Sequence, residues 1–191
     1  PPFISRLGLF SRSPLSNEEI QKAFNRIPRK FQLVELILNP TIQLPEQTQF
    51  RSVELDLNWS YEEIRASYSE NTKRNVKSSA KHQLVISEDV DIEEIVDLFK
   101  KNRGKKIDKT IPDSHYETLK NLVDYAEGLG NIEKWAVHDS EHHLLAGAIF
   151  LKDQDRRWFW FSGRDNSNSE AKAMFFLIDR YIQKNANTPI I

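Results

Sequence analysis

The sequence predicts an α/β fold in which helices flank a mixed sheet of mostly antiparallel strands. Three observations predict it. The runs "IEKWAVH" (132–138), "HLLAGAIFL" (143–151) and "RWFWFSG" (157–163) follow one another through polar loops of hairpin length, which makes an antiparallel meander. Two helical patterns precede the meander, and a strongly apolar helical pattern follows it. The order from residue 84 onward is strand, helix, helix, three strands, helix.

Taken in chain order, Ser16 to Glu19 carry a capping-box pattern, and Ile20, Ala23, Phe24 and Ile27 recur at helical spacing as far as Pro28. "FQLVELIL" (31–38) and "VELDL" (53–57) read as strands, with a proline-bearing loop from Asn39 to Pro45. From Tyr61 to His82, Ile64, Tyr68, Val76 and Ala80 stand at multiples of four, a helical pattern with a break near Ser69 to Asn71. "LVISE" (84–88) reads as a short strand. Asp91 and Glu94 open a helix with Ile92, Ile95, Val96 and Phe99 on one face, ended by Gly104. A second helix begins at Asp113 and is closed by Gly128 and Gly130. The last helix, about 169 to 184, turns Ala173, Met174, Phe175, Leu177, Ile178, Tyr181 and Ile182 inward. Ile190 and Ile191 read as the opening of a further strand.

The composition narrows the function. With 191 residues, 39% of them hydrophobic, the chain can bury a substantial core. A formal charge of -1 supplies no global field toward nucleic acid or an anionic membrane, so any basic site is local. The absence of cysteine excludes disulfides, a thiolate nucleophile and Cys-ligated zinc, and fits a cytoplasmic setting. No apolar run approaches the roughly 18 residues of a membrane span. His138, His142 and His143 surround one turn in which only Asp139 and Glu141 are carboxylates at a ligand-like spacing; a turn between strands is ordinarily solvated, so no metal is expected. Ser162 precedes a glycine but lacks the Gly-x-Ser-x-Gly setting of a nucleophilic serine.

Three stretches carry candidate chemistry. "RDNSNSEAKAMFFL" (164–177) is a run of small polar residues tipping into an apolar helix. It reads as a plain cap, through Ser167 with Glu170 or through Ser169, or as a phosphate cradle at a helix N-terminus with Arg164 adding a charge-assisted contact. Asp165 and Glu170 oppose an anion there. Alternation along Trp158 to Phe161 places both tryptophans on one face and both phenylalanines on the other, as in a central strand. Lys73, Lys77 and Lys81 stand at i, i+4 and i+8 with Arg74 beside them, either a solvated face or a grip on a phosphate-rich ligand. A second basic stretch runs from Lys100 to Lys106.

The succession of elements resembles the GNAT superfamily of N-acyltransferases, whose fourth strand and following helix hold the pyrophosphate of acyl-CoA. "RWFWFSG" and the helix from Ser169 are the matching elements. The superfamily's loop places glycine, then glycine or alanine, where this chain has Ser167 and Ser169. The segment "SENTKRNVKSSAKHQLVIS" (69–87), through Thr72, Lys73, Arg74, Val76, Lys77, Ala80 and Lys81, resembles the opening of the second domain of FemAB-type aminoacyl and acyl transferases. "PPFISRLGLFS" resembles a segment inside their first domain. The resemblance implies the end of a first GNAT-like domain over 1–60, a basic linking helix over 61–83 and a second such domain over 84–191, both ends being cut from a longer protein.

It also implies transfer of an acyl or aminoacyl group to an amine by direct attack on a bound thioester or ester. Acyl-CoA (acetyl-CoA) or aminoacyl-tRNA would be the donor, and a small amine or a cell-wall precursor the acceptor. Donor contacts fall on Phe161, Ser162, Gly163, Arg164, Asn166, Ser167, Asn168 and Ser169, and acceptor or tRNA contacts on Lys73, Arg74, Lys77 and Lys81. No general base is assigned. A catalytically degenerate binding module of the same fold and an RNA-binding module acting through the basic helix stand as alternatives.

Overall fold

This computed structural model describes residues 3, 9, 11–34, 36–38, 42, 48, 53–104 and 111–190, with the side chains of 103 and 104 left aside. The chain divides into two compact units, Pro1–Val53 and Glu54–Ile191. Most of "PPFISRLGLFS", most of the loop from Asn39 to Pro45, Lys105, Lys106 and Ile191 lie outside the described residues.

In the first unit, helix α1 spans Asn17–Asn25. The Ser16 side chain accepts the Glu19 amide at 3.3 Å while Glu19 accepts the Ser16 amide at 2.8 Å, the reciprocal cap its sequence predicts. The strand expected over 31–38 does not form at the described positions, where Leu38 makes an isolated bridge. Strand propensity expresses packing against a neighbouring face, and Phe31, Leu33, Val34, Leu36 and Ile37 are exposed.

The second unit opens irregularly. The strand expected over 53–57 is absent, because Asp56 Oδ1 accepts both the Asn58 amide (2.9 Å) and its Nδ2 (2.8 Å), an Asx turn that competes with an extended ladder. Two helices follow, α2 at Tyr61–Ser67 and α3 at Glu70–Ser79. They are separate because Ser69 starts a new N-terminus, its side chain accepting the Thr72 amide.

Strand β1, Val85–Ser87, leads to helix α4, Ile92–Phe99, which runs into a π-helical turn at Lys100–Gly104. Helix α5 covers Asp113–Gly128, and Gly130, at φ 73°, closes the turn behind it. The meander follows as β2 (Ile132–His138), β3 (Leu144–Lys152) and β4 (Arg157–Arg164). All pairings are antiparallel, in the order β1-β2-β3-β4. A 3-10 turn at Ser169–Ala171 and helix α6, Ala173–Asn185, complete the element order.

Helices cover both faces of the sheet. On one, Trp135, Val137, Ala146, Ala148 and Phe150 pack against Phe176, Leu177 and Tyr181 of α6. The Tyr181 ring stacks on Phe150 with centroids 3.6 Å apart, and its hydroxyl donates to Glu133 at 2.8 Å. On the other face, Phe99 of α4 packs between Tyr116 of α5 and Phe161 of β4, at centroid distances of 6.3 and 4.9 Å. Each large apolar side chain buried in this way contributes about 1.5–3 kcal/mol of transfer free energy. A smaller cluster, Leu57, Ile64 and Ile190, ties the two ends of this unit together.

Three further sequence expectations fail in this unit. A bulge between Ile149 and Phe150 pairs Ile149 with Phe161 and Phe150 with Phe159, inserting one extra residue in β4. Strict alternation is therefore broken: Phe161 turns to α4, while Phe159 meets Phe150 on the α6 side at 5.5 Å. β4 is also the last strand of the described sheet rather than a central one. Ile190 enters no strand; its carbonyl accepts the Leu57 amide at 2.9 Å, and Thr188 donates to the Leu57 carbonyl at 3.1 Å.

Candidate functional site

The loop after β4 is tied from within. The Asp165 carboxylate accepts the Ser167 amide (2.9 Å), the Ser167 hydroxyl (2.7 Å) and the Asn168 side-chain amide (2.7 Å). Hydrogen bonding, first from the Ser167 side chain, holds Asp165 below the usual carboxylate range against a burial penalty. Arg164 Nε donates to Asn166 Oδ1 at 3.0 Å. The Asn166 amide donates to Asn102 Oδ1 (3.2 Å), on the π turn, and Asn102 Nδ2 donates to the Leu98 carbonyl (2.9 Å). An internal carboxylate and an asparagine thus take the amides expected to meet a phosphate at Asn166 and Ser167.

The capping expectation is corrected by the same geometry. Ser167 donates to Asp165 instead of boxing with Glu170, and Ser169 sits inside the 3-10 turn. The α-helix begins four residues later than the sequence suggests, at Ala173. Its N-cap is Lys172, at φ 51°, with no side-chain cap. The earliest bond to a helical amide runs from Phe176 to the Lys172 carbonyl, so the amides of Ala173, Met174 and Phe175 donate to no group among the described residues.

The residues that carry those amides line a cavity of about 200 Å³, together with the polar residues Arg164, Asp165, Asn168, Ser169, Lys172 and Asn75 of α3. Leu145, Ala173, Met174 and Phe175 complete it. Three predicted donor contacts, Arg164, Asn168 and Ser169, are brought together here. Asn166 and Ser167 belong to the same loop but do not line the cavity. Phe161 and Gly163 are buried toward α4, and half-buried Ser162 pairs across the ladder with Ala148. Lys172 and Asn75 escaped sequence reasoning. Lys172 lies in a run with no sequence signal for a left-handed cap, and Asn75 sits between Arg74 and Lys77 without a motif of its own.

The basic stripe is shorter than its spacing suggests. α3 ends at Ser79 with Ala80 as its C-cap, so Lys81 lies beyond the helix. Lys73 pairs with Glu70 at 3.1 Å, and Arg74 donates to Asn71 Oδ1 at 2.9 Å. Lys77 faces a second cavity beside α6. Around the histidine-rich turn, Asp139 accepts the amides of Glu141 and His143, both at 2.9 Å, and these bonds, His143's first, hold it below its ordinary value. Among the described residues no group of three or more metal-ligating side chains gathers, and no helix is long and apolar enough to cross a membrane.

No protein-family model and no curated protein matches the chain. Among solved structures, the crystal structure of FemX superposes with a TM-score of 0.53 at 9% sequence identity, covering 69% of this chain and 49% of that one. The matched region thus spans about half the length of FemX. The likeness shows the fold, a FemX-like α/β arrangement of a four-stranded antiparallel sheet flanked by helices.

Proposed function

We propose that this protein transfers an acyl or aminoacyl group to an amine, with the phosphates of the donor held at the cavity between the loop after β4 and the start of α6. The observation that carries this reading is an α6 N-terminus without a side-chain cap whose first three residues line a cavity together with Lys172 and Arg164. Amides at a helix start and the positive end of its dipole favour an anion, and two cations strengthen the preference. The fold shared with FemX and the resemblance of the segment 69–87 to FemAB-type proteins support this class of chemistry. The donor is acyl-CoA or aminoacyl-tRNA, and the acceptor a small amine or a cell-wall precursor.

In this reaction the free amine attacks the donor carbonyl, a C–N bond forms, and the C–S or C–O bond to the carrier breaks. The protein acts by holding the two reactants together and by stabilising charge on the carbonyl oxygen. Cavity contacts anchor the carrier end of the donor, and a proton leaves the attacking nitrogen for solvent or a nearby base. The test is release of free thiol from acetyl-CoA in the presence of an amine panel. Release that depends on both amine and protein supports the reading; release with neither dependence refutes it.

A second reading, a binding module without turnover, is favoured by Asp165. Its carboxylate already holds the Ser167 amide and hydroxyl and lies at the cavity wall. Binding of acetyl-CoA without thiol release in any amine would select this reading.

A further inference from the structure

A second cavity, of about 220 Å³, is lined by residues of α2, α3 and α6. Asp179 lies in its wall, 3% exposed. The Tyr61 hydroxyl donates to it, 2.9 Å from each oxygen. The buried Tyr68 hydroxyl faces the same carboxylate, outside strict hydrogen-bond geometry. Burial first, then the Asp179 charge and hydrogen bonding to it, push the Tyr68 ionisation upward. A carboxylate offers about four acceptor sites, so Asp179 keeps room for a further donor.

The remaining wall is mainly cationic and apolar, with Gln183 polar. Arg65, Lys77 and Arg180 line the cavity and form no ion pair among the described residues; Arg180 donates to Gln183 Oε1 at 2.5 Å and lies 5.1 Å from the centre of the Phe176 ring. Val76, Ala80 and Phe176 supply apolar surface. A simple anion entering here meets the Asp179 charge, and a simple amine meets three cations. A molecule carrying both charges a few atoms apart satisfies both. The volume falls below the roughly 300–1,000 Å³ of drug-sized pockets, so the cavity encloses either a small molecule whole or one end of a larger one.

We propose that this cavity binds a small zwitterion, an α-amino acid with an aliphatic side chain. Its ammonium donates to Asp179, its carboxylate accepts from Arg65, Lys77 and Arg180, and its side chain lies on Val76, Ala80 and Phe176. The proposal uses neither Arg164 nor Lys172, so it stands or falls apart from the donor cavity.

The test is calorimetric titration of norleucine into the full chain, beside pentylamine and hexanoate, which each keep one of its charges. Norleucine is expected to bind at least tenfold more tightly than either half. Asp179→Asn and Lys77→Ala are each expected to weaken it tenfold or more. Lys77 is exposed, so Lys77→Ala decides the matter if Asp179→Asn fails to fold. Hexanoate binding as tightly as norleucine, no binding of norleucine at millimolar concentration, or unchanged affinity in Lys77→Ala overturns the proposal.

Discussion

Gly147 and Gly163 face each other across β3 and β4, and together they make the bare floor on which α4 rests. A Cβ at Gly147 would lie 2.7 Å from Ile95 Cγ1, the side chain of a residue that can shift rotamer. A Cβ at Gly163 would lie 2.5 Å from the Ile95 carbonyl oxygen and 2.7 Å from the Phe99 amide, both backbone. Gly163→Ala is therefore expected to destabilise by about 2–3 kcal/mol and Gly147→Ala by about 1 kcal/mol, in the range of overpacked cores. Urea melts of the two variants check the order. Equal losses would show that α4 gives way at both positions.

Asp165 supplies an acid-side prediction. Its folded pKa is lowered, so its stabilising effect is present above the unfolded value of about 3.9 and is lost as pH falls through the lowered folded value. Asp165→Asn removes that linkage. Wild type should exceed the variant in stability at pH 6, and the gap should close as the pH drops below about 4. Denaturant midpoints at the two pH values measure it, and a gap that persists at low pH would contradict the assignment.

Tyr61 supplies the alkaline counterpart. Burial first and the bond to Asp179 next push its ionisation up to about 12, so its contribution is intact below the unfolded value of about 10 and is lost as pH rises toward 12. Tyr61→Phe should lower stability at pH 8 and show a shallower fall between pH 10 and 12 than wild type. Parallel pH profiles for the two proteins would refute the linkage.

The cap of α2 offers a local test. The Ser60 hydroxyl accepts the Glu63 amide at 3.2 Å, and Glu63 returns a bond from the Ser60 amide at 2.9 Å. Ser60→Ala should cost about 1 kcal/mol, read as a lower denaturant midpoint with an unchanged m-value.

Most of the second unit was legible because its signals are local. Asp91 with Glu94 at the start of α4, Gly130 after α5, and the alternating runs of the meander each specify geometry within a few residues. What escaped depends on distant partners. The strand-rich run from Phe31 finds no sheet face at its described residues, and the bulge that turns Phe161 and Phe159 apart is set by pairing with β3. At the candidate site, the sequence marked Arg164 and Asn168 but began the helix too early. The αL turn at Lys172 has no strong signal in "SEAKAM", and it moves the open amides to Ala173, Met174 and Phe175.

Under the proposed function the donor's phosphates sit where α6 begins. Calorimetric titration of acetyl-CoA into wild type, Arg164→Ala and Lys172→Ala is the direct test. Micromolar binding to wild type is expected, with at least a tenfold loss in each variant at low salt and a smaller gap at high salt, where the phosphate contacts are screened. Wild-type affinity retained in both variants, or no binding to wild type by either acetyl-CoA or an aminoacyl-tRNA, would contradict it.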